Sequence, residues 1–521
     1  MAKKFHYTGT CIPERHFTVD ISAKLDAVME LVDAGEYFTI NRPRQYGKST
    51  FMFLLAKRLR NEKEHLALKI SFEALGRSAF ADEAAFSTAF LSLLKKQCVL
   101  HDMKERLKTA TAGSSQTFTD LDAFITEFTK ENKVVLLIDE TDAATDNALF
   151  LQFLGLLRSK YLARNEGEDS TFHSVILAGV HDVKNMKHKI SPESGGTNSP
   201  WNIAADFEID LTFSSSDIAT MLQEYADERK VTLDIAAIAR RLHFFTSGHP
   251  FLVSKLCYLL DTVIMQPDSS WQEEDVDRAV DHILREKNTN FESLIKNLEN
   301  NSELYRLVEN ILLKDIQLEY SEDNRLISQG VTYGIFGRDR TQPLHIHNLI
   351  YKERIYNYIT LNLKIGQLID KDIELYSYQN QFITPERTLD FEKVLTKFQL
   401  FMKEQYSPKD TAFVERNWRL LYLAFLKPII NGHGFDFKEV QISEEKRLDV
   451  VITYNRQKYI NELKIWKGAE QHKKGIAQLV DYLDRQGQNQ GFLVIFDFRK
   501  KMKYRQEKVT VQGKEIFMVW V

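Results

Sequence analysis

Apolar residues in the first 210 or so positions come in short runs that suit strands: EYFTIN, LALKISF, KVVLLIDE, SVILAGV and then DFEIDLTF. Segments of helical periodicity separate them, and strands alternating with helices predict a parallel sheet with crossover connections. Residues 1–212 therefore read as one α/β domain, with SPESGGTNSP (Ser191 to Pro200) as a Gly/Ser/Pro-rich loop inside it. From Ser214 to about Asn288 the pattern turns helical, opening with SSSD as a set of capping residues ahead of IATMLQEYADERK. Residues 213–288 are thus expected to form a helical lid. Over 289–400, helical stretches such as SELYRLVENILLK mix with β-like pieces such as ELYSYQNQFITP, the pattern of a winged-helix-like connector. A fresh alternation fills 401–521. An amphipathic helix (TAFVERNWRLLYLAFLKPII) precedes strands RLDVVITY and KYINELKIW, a helix containing AQLVDYL, and the strand GFLVIFDF. That is a second α/β unit.

Composition changes this picture little. At 521 residues the chain exceeds one hydrophobic core, and its 43% hydrophobic and 27% charged residues are ordinary for a globular protein. No apolar run reaches the roughly 18 residues of a membrane span, and MAKKFHYTGTCIPERHF lacks a signal-peptide core. Cys11, Cys98 and Cys257 are too few and too scattered for a disulfide framework or a metal knuckle, so a reducing cytoplasm is the expected location. Charge is more informative. The net value is −4, but Phe401 to Val521 holds 22 Lys and Arg against 15 Asp and Glu, leaving the first 400 residues at −11. A basic end on an acidic chain suits a polyanion partner, with an ordinary solvated surface as the competing reading.

The strand EYFTIN runs into NRPRQYGKST and then an amphipathic helix. Backbone N–H groups at such a turn and helix start cradle phosphates. In that chemistry Lys48 reaches the β- and γ-phosphates, Ser49 offers its hydroxyl to magnesium, and Arg44, Gly47 and Thr50 complete the nucleotide-binding candidates. Arg42 stands where the full G-x-x-x-x-G-K-[ST] pattern has its first glycine. Downstream, KVVLLIDETD ends an apolar strand in Asp139 and Glu140. Asp139 is the candidate magnesium ligand and Glu140 the candidate for polarising an attacking water, whereas a structural reading has both acids cap the next helix.

With TGTCIPERHFTVDIS, LAGVHDVK and SPWNIAADFEIDLTFS, these segments resemble the AAA-ATPase-like family of P-loop proteins from about Phe5 to Asn288. That family often carries R-P-R-x-[FY]-G-K-S at the loop, so the resemblance makes Arg42 a family trait. It implies an ATP-binding P-loop sheet, a lid motif in TSGHPFLVSKLCYLL (Gly248, Pro250), and assembly into homo-oligomers. It leaves His181 or Asp182 as sensor candidates and Arg158 as an arginine-finger candidate.

The second set of chemistry lies in RLDVVITYNRQKYINELKIW, with Asp449 on one strand and Glu462 and Lys464 on the next. Carboxylates on neighbouring strands can hold magnesium against a scissile phosphate, and residues i and i+2 share a strand face, which puts Lys464 beside Glu462. Gln478 and Tyr482 lie four apart on one helix face, and Glu415 precedes the first strand. Each also has a plain reading: Glu415 as a partner for Arg416 or Arg419, Gln478 and Tyr482 as ordinary helix residues. Basic positions (Lys467, Lys473, Lys474, and Arg499 to Arg505) and the aromatic rings of Trp466 and Tyr504 suit a nucleic-acid backbone and its bases.

The order acidic helix, D-strand, E-x-K strand, Q-x-x-x-Y helix resembles the PD-(D/E)XK nuclease superfamily over Ser407 to Val521, with Leu448 at the name-giving proline. The resemblance implies a restriction-endonuclease-like fold in which Asp449, Glu462 and Glu415 serve the metal, Lys464 serves catalysis, and Gln478 and Tyr482 support the site. The whole chain is then expected to bind ATP and magnesium and to cleave nucleic acid, DNA in the first instance, under nucleotide control. The alternative is an ATP-switched nucleic-acid-binding or signalling protein whose nuclease fold does not cleave.

Overall fold

The computed structural model describes residues 2–521 apart from 63, 102–116, 145–146, 181–200, 265–269, 315–317, 340, 369–381, 386–387, 406–417, 419–420, 424, 427–428, 430–433, 439–440, 444–445, 448–449, 455–456, 467 and 500–503. The chain divides into two units, Met1–Leu304 with Leu318–Ile355, and Tyr305–Gln317 with Tyr356–Val521. The segment 289–400, expected as a connector, is shared between them. No helix among the described residues is long and apolar enough to cross a membrane.

The first unit is built on β1 (Phe38–Asn41), β2 (Leu66–Ser71), β3 (Val134–Asp139) and β4 (Ser174–Gly179), all parallel in the order β1-β4-β3-β2. Helices α1 (Ser22–Asp33) and α2 (Lys48–Glu62) cover one face, and α3 (Glu83–Leu100), α4 (Phe118–Thr129) and α5 (Ala148–Glu166) cover the other. With both faces covered, the strands read as continuous apolar runs, and every residue of β3 is buried. Leu137, Ile40 and Ile176 meet Met52 and Leu55 on the α2 side; Leu136, Ile138 and Leu177 meet Phe90, Phe124 and Phe153 on the other.

DFEIDLTF was expected to be a strand, and it is not. Ala205 makes a single parallel bridge to Phe38, after which residues 206–213 run on without a ladder. Phe207, Ile209 and Leu211 still point into the α2-side core, so the alternation that suggests a strand is real burial. The Ile209 carbonyl instead accepts the Arg42 guanidinium at 2.5 Å. A side chain has taken the acceptor that a strand neighbour would use.

Helices α6 (Ser215–Arg229), α7 (Ile235–Thr246), α8 (Pro250–Leu259) and α9 (Glu273–Arg285) form the helical region after the sheet. Ser214 and Asp217 cap α6 reciprocally, the capping that SSSD suggests. They are followed by α10 (Thr289–Glu299), α11 (Ser302–Lys314), α12 (Arg325–Thr332) and α13 (Leu349–Leu368), of which α11 and α13 contain points where the chain passes between units.

The second unit contains α14 (Phe391–Gln405), β5 (Gly434–Lys438), a small pair β6 (Gln441–Ser443) and β7 (Lys446–Arg447), β8 (Val450–Tyr454), β9 (Gln457–Ile465), α15 (Ala469–Arg485), β10 (Gln490–Phe496), β11 (Gln506–Val511) and β12 (Lys514–Trp520). The main sheet runs β11-β12-β10-β9-β8-β5. Strands β9, β10 and β12 are parallel, while β8 and β11 are antiparallel to their neighbours. Helix α15 is the crossover between β9 and β10, and Leu479, Tyr482 and Leu483 bury it against Ile460, Leu493 and Met518.

Gly248 sits between α7 and α8 at φ +69, with its carbonyl accepting from Phe213 N at 2.8 Å. A Cβ there would overlap the Phe213 backbone, whose nitrogen would lie 2.7 Å away, and would be strained by the positive φ as well. Gly248→Ala should cost about 2–3 kcal/mol from strain and clash together, read as a lower urea midpoint for the first unit.

Candidate functional site

The turn between β1 and α2 is shaped by two left-handed residues, Gln45 at φ 58 and Gly47 at φ 80. Lys48 starts α2, and its ammonium donates to the carbonyls of Arg42 (2.8 Å) and Pro43 (2.9 Å). The lysine is 6% exposed, and burial holds its pKa below the ordinary value against the opposing pull of Asp142, Glu140 and Asp139. Arg44, Gly47, Ser49, Thr50 and Glu140 join Lys48 in lining a cavity of about 470 Å³. The N-terminal segment closes part of it: Tyr7, Gly9 and Cys11 line the same space, and Cys11 N donates to Thr50 Oγ1 at 3.0 Å. Pro250 of α8 also lines the cavity, its Cβ 3.5 Å from where a Cβ on Gly47 would lie.

At the end of β3, Asp139 is buried, its Oδ1 accepting from Glu140 N at 3.0 Å and its Oδ2 paired with Lys69 Nζ at 3.3 Å. Glu140 is held left-handed at φ 55, a conformation that costs a non-glycine residue energy and often accompanies function. Burial, then the charge of Asp139, raises its pKa. Asp142 accepts from Val180 N at 2.7 Å, tying the acidic turn to the end of β4. His181 and Asp182 fall outside the described residues. Arg158 lies on α5 and is not among the cavity-lining residues.

Beneath the loop lies a buried polar cluster that no local motif announces. Tyr46 OH meets His347 Nε2 at 2.6 Å, and His347 Nδ1 meets Asn348 Nδ2 at 3.0 Å. Tyr351 OH bridges His249 Nε2 (3.1 Å) and Asn290 Oδ1 (2.8 Å). Alongside, Arg338 donates to the carbonyl of Asn41 at 2.9 Å, so residues 338–351 brace the same turn. Burial pushes the His347 pKa down to about 4 and that of His249 well below the ordinary imidazole range, so both rings are neutral.

A matching family gives this geometry its context: the AAA-like domain matches residues 14–336. The chain belongs to the AAA-like domain family. Solved structures similar to it include a Walker-type ATPase of Pyrococcus abyssi, at 12% identity and TM-score 0.46 over 68% of this chain and 99% of that one. Another is the ORC2 protein of Aeropyrum pernix in ADPNP and ADP complexes, at 12% identity and TM-score 0.35 over 66% and 93%. The Thermotoga maritima RuvB Holliday junction branch migration motor follows at 11% and 0.31 over 66% and 95%. No curated protein matches. Within the AAA-like domain, the match takes in the turn, Lys69, the acids after β3 and the lid, and ends at Phe336, before His347.

Beyond the AAA-like domain, β9 carries the second candidate set. Glu462 is 1% exposed, and Lys464 Nζ lies 2.6 Å from its Oε1. Helix α15 passes over this pair: a Cβ on Gly475 would be 3.7 Å from Lys464 Cε. On the same helix Gln478 Nε2 donates to Tyr482 OH at 2.7 Å. Glu415, Leu448 and Asp449 lie outside the described residues, as does Lys467. Arg499 is clamped by Asp497 through Nε (2.8 Å) and Nη2 (2.6 Å), with its guanidinium 5.0 Å from the Trp466 ring centroid. Among the described residues no group of three His, Cys, Asp or Glu could hold a metal. For the P-loop that is no obstacle, since magnesium there takes one or two protein oxygens and completes its shell from phosphate and water.

Two predictions follow from the buried cluster. Tyr46→Phe removes the partner of His347 Nε2 and should cost about 1–3 kcal/mol, measured by urea denaturation. The two histidines have folded pKa values depressed below the free value of about 6.5. Their contribution is therefore complete above that pH and lost as pH falls through it toward about 4, where His347 itself titrates. The His347→Asn variant should show a shallower loss of stability across that window in thermal melts.

Proposed function

We propose that the AAA-like domain binds and hydrolyses ATP with magnesium, and that the second unit is a magnesium-dependent nuclease acting on nucleic acid, DNA foremost, under nucleotide control. The observation that carries the first half is the convergence of Lys48, Ser49 and Glu140 on one cavity at the start of α2. The N-terminus of α2 and the backbone N–H groups of the turn would take the phosphates. Lys48, now on two carbonyls, would exchange them for β- and γ-phosphate oxygens. Ser49 and Asp139 would hold magnesium, which supplies charge neutralisation at the phosphates, and Glu140 would accept the proton of the attacking water.

For the second half, the supporting observation is Glu462 and Lys464 on one face of β9, under the helix that carries Gln478 and Tyr482. A carboxylate with 1% exposure is costly to bury without a cation, and Lys464 supplies one beside it. Glu462 would hold the metal with Asp449, and Glu415 would support it. Lys464 would orient the attacking water or stabilise charge at the phosphorus. Gln478 and Tyr482 would fix the geometry around them, and the cationic Arg499 beside Trp466 would meet the nucleic-acid backbone.

The test is cleavage of linear and circular DNA with magnesium or manganese, with and without ATP. Wild type should cut and Glu462→Ala should lose at least about 100-fold in rate, while Lys48→Ala should abolish the effect of ATP. Cleavage by Glu462→Ala at the wild-type rate would remove the assigned site. Binding of nucleic acid without cleavage under any condition would favour the non-cleaving switch instead.

A further inference from the structure

Lys69 is an unusual residue for its place. In β2, Leu66, Leu68 and Ile70 face the α3–α5 side, and Ala67 faces α2. Lys69 shares the α2 face with Ala67, in a parallel strand covered on both sides, where an apolar residue is the norm. Its register partner on β3 is Leu137, and Ser71 pairs with Asp139. The side chain reaches toward the end of the sheet and places Nζ 3.3 Å from Asp139 Oδ2, with the pair 24% and 4% exposed. The other oxygen of that carboxylate is already taken by Glu140 N. Glu140, Asp142 and Glu73 add further negative charge around the same turn, with Asp142 and Glu73 both acting on Glu140.

We propose that Lys69 is a positioning residue that holds the Asp139 carboxylate when magnesium is absent and thereby sets how much magnesium the nucleotide site requires. This rests on the reading of the first unit as a magnesium–nucleotide site. A divalent ion approaching Asp139 must take Oδ2 from an ammonium already paired with it. An ammonium and a divalent ion at one carboxylate repel each other in a partly buried setting, so the lysine competes with the metal. With nucleotide bound, Lys48 would meet the phosphates, Asp139 would hold the metal, and Lys69 would give up its place on Oδ2.

The experiment is binding of a fluorescent ADP analogue to the full-length chain, titrated with magnesium and repeated in EDTA, for wild type, Lys69→Met, Lys69→Arg and Lys48→Ala. Thermal melts accompany each variant to register folding. Lys69→Met should lower the half-saturating magnesium concentration about tenfold, and Lys69→Arg should stay within about twofold of wild type. An unchanged magnesium requirement in folded Lys69→Met overturns the proposal. So does an equal loss of nucleotide affinity with and without magnesium, which would make Lys69 a phosphate contact. If wild type binds no nucleotide, or Lys48→Ala binds like wild type, it is the magnesium–nucleotide reading that fails instead.

Discussion

The arrangement around the β1–α2 turn depends on where the ammonium of Lys48 is kept. A lysine with 6% exposure cannot be left without partners, and here two backbone carbonyls of its own loop, those of Arg42 and Pro43, receive it. To present those carbonyls the loop must curl back on itself, which the left-handed Gln45 and Gly47 allow. A loop so curled needs bracing from outside, because its backbone has left the sheet. Arg42 reaches the Ile209 carbonyl, Arg338 the Asn41 carbonyl, and Tyr46 the imidazole of His347. These three contacts come from segments far apart in sequence. Their common task is to keep one strained turn in a shape that a phosphate could occupy without rearranging it.

How much of this is legible in the sequence follows from the range of each interaction. The turn and the acids after β3 are readable because a phosphate cradle uses consecutive residues, and apolar runs mark the strands on either side. The E-x-K pair is readable for the same reason: a strand's two-residue period alone puts Glu462 and Lys464 on one face. Lys69, His347 and Cys11 are not. Lys69 sits in a strand whose apolar run it merely interrupts, and only the register of β2 against β3 brings it to Asp139. His347 lies some 300 residues from Tyr46, with nothing local to mark it. The segment after Ser191–Pro200 misleads for a physical reason. Its alternation reports burial correctly, but ladder formation depends on free backbone acceptors, and Arg42 has claimed one of them.

The two units share one electrostatic solution. Asp139 and Glu462 are each almost fully buried on a strand, and each is paired with a lysine, Lys69 at 3.3 Å and Lys464 at 2.6 Å. A lone carboxylate at such depth is costly to bury, and a paired cation offsets that cost. In both units the neighbouring lysine compensates the buried negative charge. On the proposed reading, metal binding at either site would exchange one cation for another, with the lysine as the competitor. The two lysines differ in one respect that bears on what each can do. Lys464 is 38% exposed and follows its carboxylate on the same strand. Lys69 is more enclosed and comes from a neighbouring strand. The difference arises from which strand supplies the cation.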